Sequence, residues 1–202
     1  MKRALLLGYS SLFLLACAGK PPANWAKGGA PLDLFPSRWV RGDVTVEITP
    51  DGKVMAISSY ANTTEHLMSV DRAGRVFDID AKPVALLEPD GRVLGPGDSS
   101  LGFVGAWSAS LPNESMAWLA IMSTGEVVNF SDQGARTPMG VWVGGCAYTP
   151  RAHQLCMLVT HVLSMRWRDT RPPGSYPGSY PPGYYPGSPG IGYPGAGVGL
   201  GF

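Results

Sequence analysis

The chain has 202 residues, with 16 basic and 15 acidic side chains and a formal net charge of +1 at neutral pH. This length is enough for one modest folded domain with flanking segments. A near-neutral chain without a concentrated basic face has no electrostatic basis for binding nucleic acid. The composition therefore predicts a single domain and excludes nucleic acid as the expected partner.

The first 16 residues have the features of an export signal. Lys2 and Arg3 precede an apolar run over residues 4–15, which is too short to span a bilayer but has the length of a signal-peptide core. The run ends in Leu14-Leu15-Ala16-Cys17, which resembles the lipobox of bacterial lipoproteins. The alternative is an ordinary secretory signal that is cut nearby and leaves Cys17 as a free thiol.

The resemblance implies a processing and sorting route. Residues 1–16 are removed as a signal peptide, and Cys17 carries a diacylglycerol and an amide-linked acyl chain such as palmitate. Ala18, rather than an aspartate, follows the cysteine, which by analogy with Gram-negative sorting implies transfer to the outer membrane. We therefore expect a cell-envelope protein that is anchored to a membrane by lipid and does not span it.

The two other cysteines have three alternative states. Cys146 and Cys156 are expected to form a disulfide in an oxidising compartment, with a stabilisation of about 2–3 kcal/mol for so short a loop. They could also bind zinc with His153 and His161, although their spacing differs from that of the usual zinc knuckles. Free thiols are the third alternative. We expect the disulfide, with no metal and no cofactor.

Residues 17–37 are rich in proline, glycine and alanine, which predicts a flexible tether between the lipid and the folded domain. Trp25 and the apolar residues of the segment 32–35 interrupt this composition. They have two alternative docking places, the folded domain or the lipid surface.

Residues 38–169 are predicted to form an all-β domain. Four turn signatures share a plan of two turn-forming residues, a glycine, a charged residue and a valine; their glycines are Gly52, Gly74, Gly91 and Gly125. This plan is typical of a type I turn followed by a glycine bulge in a β-hairpin. The spacings of 22, 17 and 34 residues between these glycines are too irregular for a propeller or a solenoid. A single antiparallel meander barrel or a two-sheet sandwich with short hairpins is expected.

Short runs of branched and apolar residues between the turns are the candidate strands. Val44, Val46 and Ile48 alternate with polar residues, as in a strand with one wet face. The other candidate strands are 54–57, 67–70, 76–79, 84–87, 103–107, 116–122 and 127–130.

Residues 150–168 fit two structures. Pro150 in a first turn and the apolar residues 155, 158, 159 and 162 on one face are consistent with a helix. The β-branched residues and a hairpin centred on Arg151, which would place Cys146 opposite Cys156, favour a strand. We expect the strand.

Residues 170–202 form a segment rich in proline, glycine and tyrosine, with no charged residue after Arg171. Such a segment has too little branched apolar surface to form a core and is predicted to be disordered. It could bind partners through its prolines and tyrosines, or act as a passive spacer.

The sequence predicts no catalytic residue. Trp107, Trp118 and Trp142 are candidate contacts for an apolar ligand or a glycan, and burial in the core is their alternative role. We expect a non-catalytic envelope protein that acts as a binding or structural module, with a protein or cell-wall glycan partner. The alternatives are a carrier of a lipid or other apolar ligand in a barrel cavity, and a glycan hydrolase that uses two of five glutamates, Glu47, Glu65, Glu88, Glu114 and Glu126.

Overall fold

The computed structural model describes residues 19–147 and 150–169 of the chain. The predicted signal peptide, Cys17 and the predicted tail over 170–202 lie outside the described residues.

Twelve strands in the described residues form one closed antiparallel barrel. Each strand pairs with the next one along the chain, and the last strand pairs with the first. This meander confirms the all-β prediction and selects the barrel over the sandwich. The strands are Ser37–Arg41 (β1), Val44–Ile48 (β2), Lys53–Ser58 (β3), Thr63–Val70 (β4), Arg75–Phe77 (β5), Pro83–Leu87 (β6), Arg92–Leu94 (β7), Ser100–Val104 (β8), Ser108–Ser110 (β9), Ala117–Ile121 (β10), Glu126–Phe130 (β11) and Arg136–Gly144 (β12).

The four predicted glycine turns are present, and each glycine is required for two reasons. The backbone of Gly52 has a φ of +83°, and its N–H donates to Thr49 O at 2.9 Å, as in a type I turn with a glycine bulge. The carbonyl of Gly52 also accepts a hydrogen bond from the N–H of Val70 at 2.8 Å, and a Cβ at Gly52 would overlap the Val70 carbonyl oxygen. The same bond to the next hairpin recurs in the pairs Gly74–Leu87, Gly91–Val104 and Gly125–Trp142.

An antiparallel meander places alternate connections at opposite ends of the barrel. The four glycine turns connect β2 to β3, β4 to β5, β6 to β7 and β10 to β11, so they lie at the same end. We call this the glycine-turn end. The other end carries the connections between β1 and β2, β3 and β4, β5 and β6, β7 and β8, β9 and β10, and β11 and β12, and we call it the exit end.

Residues 150–169 form a helix, Pro150–Asp169 (α1), and the predicted strand at 150–168 is wrong. Of the described residues from 152 to 164, all are buried except Gln154, which is half-buried. Polar residues of this segment, among them Thr160 and His161, are buried together with the apolar ones, so their spacing marks no exposed face. The length of the segment is then the better guide. Twenty residues exceed the length of an ordinary strand and suit a helix.

The helix α1 lies inside the barrel and runs from the glycine-turn end to the exit end. Near its start, Gln154 Nε2 donates to Val104 O of β8 at 3.5 Å. Near its end, Met165 and Arg168 line a groove with Leu111 and Pro112 of the β9–β10 connection. The interior of an eight-stranded barrel is filled by the side chains of its own strands, whereas a wider barrel has space for a ligand, water or another segment of the chain. In this barrel the helix occupies that space.

The described part of the predicted tether packs on the barrel from residue 22 onwards, which is the first of the two docking places considered for Trp25 and residues 32–35. Trp25 packs edge-on against Phe77 on the outer face of β5, with ring centroids 5.0 Å apart. The backbone N–H groups of Gly29, Ala30 and Leu32 then donate to carbonyls of residues 72, 73 and 87 at the glycine-turn end. Ala30 and Leu32 are buried in the core, so their apolar surface holds the segment in place.

Candidate functional site

The centre of the barrel holds a hydrogen-bonded chain that joins helix α1 to two strands. The indole Nε1 of Trp118 donates to Nδ1 of His161 at 3.0 Å, and the other ring nitrogen of His161 lies 2.7 Å from Leu101 O. An indole N–H can only donate, so Nδ1 accepts and Nε2 carries the proton that is donated to Leu101. Burial lowers the pKa of His161 to about 4, and the bond to Leu101 offsets part of that shift. His161 is therefore neutral at physiological pH and fixed in one tautomer.

A second polar contact connects the helix to β12. The indole Nε1 of Trp142 donates to Thr160 Oγ1 at 3.0 Å, and that hydroxyl donates to Cys156 O, one helical turn earlier, at 2.7 Å. This bond within the helix is how a threonine, a β-branched residue, is accommodated there. Trp142 also stacks on Trp39 of β1, with ring centroids 5.8 Å apart. These contacts fix the helix against the strand pair that closes the barrel.

Two of the three candidate ligand-contact tryptophans belong to the core. Trp118 is 8% exposed and Trp142 is fully buried, and each has its indole N–H occupied by the helix. Their rings are not accessible to a glycan at the surface. Trp107 differs, since it is 45% exposed at the glycine-turn end and packs on His153 with ring centroids 3.9 Å apart. Only Trp107 of the three retains a face that a sugar ring could stack on.

The structure places the sulfur atoms of Cys146 and Cys156 at disulfide-bonding distance, with their Cα atoms 6.1 Å apart. This geometry agrees with the predicted disulfide, but the supporting structure is not the predicted hairpin. Cys146 lies in a short 3₁₀ turn, Gly145–Ala147, and Cys156 lies in α1. The pair therefore ties the end of β12 to the interior helix.

The four candidate zinc ligands do not converge on one point. The two cysteines face each other, His153 packs on Trp107, and His161 is bonded to Trp118 and Leu101. Within residues 19–147 and 150–169, no three histidine, cysteine or acidic side chains are grouped as a metal site would require.

The glutamates considered for glycan hydrolysis are distributed over the barrel. Glu88 is buried and accepts a hydrogen bond from Asn24 of the N-terminal segment at 3.0 Å. Glu47 pairs with Arg38 on the outer wall at 3.2 Å. Among the described residues Glu88 is the buried acid, so no second buried carboxylate faces it there.

A set of exposed apolar side chains at the exit end was not predicted from the sequence. In the described part of the chain, the three most exposed large apolar residues are Tyr60, Met116 and Ile79, at 70%, 66% and 63%. They lie on three different connections, β3–β4, β9–β10 and β5–β6. The available signal was a single apolar residue within each polar turn, such as Ile79 between two aspartates.

A groove of about 390 Å³ also lies at the exit end, lined by Leu111, Pro112, Glu114, Met165 and Arg168. Two of these residues are charged and exposed, so the groove is part of the outer surface rather than the interior. No helix in the described part of the chain combines the length and apolar character needed to cross a membrane.

No family model, curated protein or solved structure matches this chain. Its class is therefore defined by the fold itself, a closed twelve-stranded antiparallel barrel with a helix in its interior.

Proposed function

We propose that the chain is a non-catalytic, lipid-anchored protein of the cell envelope whose barrel and tail act as an interaction or structural module. The observation that carries this proposal is the position of α1. The helix occupies the interior where a carrier would hold its ligand, and it is buried on all sides over most of its length.

The interior contacts oppose the carrier alternative. Ligand pockets for small molecules enclose several hundred Å³, and an apolar ligand in this barrel would have to displace the helix. Displacement would break the Trp118–His161 and Trp142–Thr160 hydrogen bonds and expose buried indole groups. The surface groove at the exit end is flanked by charged side chains and does not replace an enclosed apolar cavity.

The polar groups also favour a role without catalysis. The buried carboxylate of Glu88 accepts a hydrogen bond from Asn24. Both ring nitrogens of the neutral His161 are occupied by hydrogen bonds, one with Trp118 and one with Leu101. Neither group has the free, cleft-facing position that general acid–base work needs. A binding or structural role through the outer surface requires no such group.

The anchoring part of the proposal rests on the lipobox resemblance and on the compartment that suits a disulfide. The proposal predicts an outer-membrane location. The expected partner is an envelope protein or a cell-wall glycan, and Trp107 is the accessible aromatic ring on which a glycan could stack. The barrel then presents its outer surface close to a membrane.

Membrane fractionation and intact mass measurement test this proposal. The mature protein is expected to begin at Cys17, to carry the added mass of three acyl chains and to sediment with outer membranes. Cys17→Ser should move it to the soluble fraction. Ala18→Asp is the matched control, which should keep the lipid but shift the protein to the inner membrane. A Cys17→Ser protein that stays fully with membranes would contradict the proposal.

A further inference from the structure

The described chain begins at the exit end of the barrel. The carbonyl of Lys20 accepts a hydrogen bond from Gly97 N at 2.6 Å, and Ala23 N donates to Asp98 Oδ1 at 2.8 Å. Both partners belong to the short 3₁₀ turn Pro96–Asp98, which connects β7 to β8 at this end. The segment then crosses the outer wall over β5 towards the glycine-turn end.

Cys17 precedes Lys20 by three residues. A fully extended chain spans at most about 3.5 Å per residue, so three residues allow a lipid on Cys17 to be attached no further than about 10 Å from this contact. A lipid on Cys17 would therefore hold the membrane surface close to the exit end. The space left between the membrane surface and the exit end is too thin for a folded domain.

The exit end has the side chains that a bilayer surface would accept. Tyr60, Ile79 and Met116 extend from separate turns around the rim and are each more than 60% exposed. The remaining exposed large apolar residues of the described chain are exposed by 45% or less. Aromatic and aliphatic residues at the tips of turns are suited to the interfacial layer between headgroups and acyl chains.

We propose that the exit end of the barrel is a membrane-contact surface, with the tips of Tyr60, Ile79 and Met116 inserted in the interfacial layer of the bilayer that holds the lipid. This inference rests on the proposed lipid anchor at Cys17. The occupant is a bilayer rather than a second copy of the chain because so short a tether leaves no room for a folded partner. The turns that carry Ile79 and Met116 also carry Asp78, Asp80 and Glu114, and Lys82 is paired with Asp80 at 3.4 Å, so a zwitterionic bilayer is the expected surface rather than an anionic one.

The experiment uses the lipidated full chain in phosphatidylcholine vesicles, with one engineered cysteine at a time. Tyr60→Cys, Ile79→Cys and Met116→Cys each introduce a thiol for an environment-sensitive fluorophore. Val143→Cys is the matched control, because Val143 is an apolar residue of the outer wall and 44% exposed. Exposed positions are chosen so that folding is retained, and circular dichroism of each variant verifies it.

The three tip labels are expected to shift their emission to shorter wavelength on vesicles and to be quenched by brominated phosphatidylcholine. The label at position 143 should show neither change. Tip labels that remain in water while the protein is vesicle-bound would overturn the proposal.

Two further outcomes are distinguished by the Cys17→Ser background. Tip labels that are already shielded in that soluble protein, without vesicles, would show that the tail or a second copy covers the surface, and would also overturn the proposal. A wild-type chain that carries no lipid and does not bind vesicles would instead show that the anchor itself is wrong. Hydrogen–deuterium exchange of the turns 59–62 and 78–82, with and without vesicles, tests the contact without any label; unchanged exchange on vesicles would contradict it.

Discussion

Trp118 of strand β10 donates its indole N–H to the imidazole of His161 at 3.0 Å, and this bond connects the wall of the barrel to the helix inside it. The bond requires a neutral histidine, because a protonated ring would present an N–H to another N–H. The protonation state of His161 therefore affects how stably the helix packs against the barrel wall.

Stability is expected to fall in acid because of His161. Its pKa is about 4 in the folded protein and has the ordinary value of 6.5 when unfolded. Between these values the unfolded chain binds more protons, so the stabilisation is fully present above pH 6.5 and is lost as the pH falls towards 4. The loss amounts to about 3 kcal/mol. Urea unfolding at several pH values measures it.

The control for this effect is a second histidine. His161→Met should reduce the pH dependence between 6.5 and 4, although it lowers stability at neutral pH by leaving Trp118 without its acceptor. Part of the dependence should remain, because burial also lowers the pKa of His153. His66→Asn, at a partly buried position where the ring contacts Ser69, should retain the dependence. An unchanged slope in His161→Met would show that another group causes it.

The glycine turns predict a contrast between two substitutions at positive φ. Gly52→Ala introduces a Cβ that would overlap the Val70 carbonyl, whereas Gly42 has no heavy atom within 4 Å of the added group. Gly42→Ala should cost about 1 kcal/mol, from backbone conformation alone. Gly52→Ala should cost at least about 2 kcal/mol more, since two hairpins must separate. Equal losses in denaturant unfolding would contradict the close approach.

The cysteine pair is expected to stabilise the fold by about 2–3 kcal/mol. The double variant Cys146→Ala/Cys156→Ala should unfold at correspondingly lower denaturant concentration. Reductant should destabilise the wild-type protein and leave the double variant unchanged. Non-reducing peptide mapping that finds free thiols in the native protein would contradict the pairing.

Two tryptophans of different burial provide a test of the interior. Trp142→Phe removes the hydrogen bond to Thr160 and leaves a gap in a fully buried site, so it should cost about 2–4 kcal/mol. Trp107→Phe, at a half-exposed ring, should change stability by about 0.5 kcal/mol or less. Thermal and denaturant unfolding compare the two. A reversed order would place Trp142 outside the core.

The turns and several strands were predictable because their signals are local. Gly52 and the glycines of the three matching turns need positive φ whatever surrounds them, and the strand β2 shows alternation in Val46 and Ile48. The three-residue strands β5, β7 and β9 are too short to show a period. The candidate strand 76–79 overlaps β5, but β1, β7, β9 and β12 were not among the candidate strands. The number of strands, and with it the width of the barrel, was therefore not predicted.

The helix and the N-terminal segment depended on long-range contacts. The helix is buried on all faces, its polar residues included, so alternation and helical spacing fitted its residues equally well. Only the barrel wall that surrounds it distinguishes the helix from a strand. The N-terminal segment has the composition of a linker, and two residues, Ala30 and Leu32, are enough to bury part of it against the turns. Tyr60, Ile79 and Met116 are single apolar residues on separate turns. They lie at the same end of the barrel because every second connection of an antiparallel meander is at that end.

The most direct test of the account is native mass spectrometry of the lipidated protein, extracted gently from membranes. The expected mass is that of the acylated chain from Cys17 onwards, either alone or with a protein partner, and without a small molecule in the barrel. A single apolar compound retained in a one-to-one ratio would contradict the filled interior and make the protein a carrier.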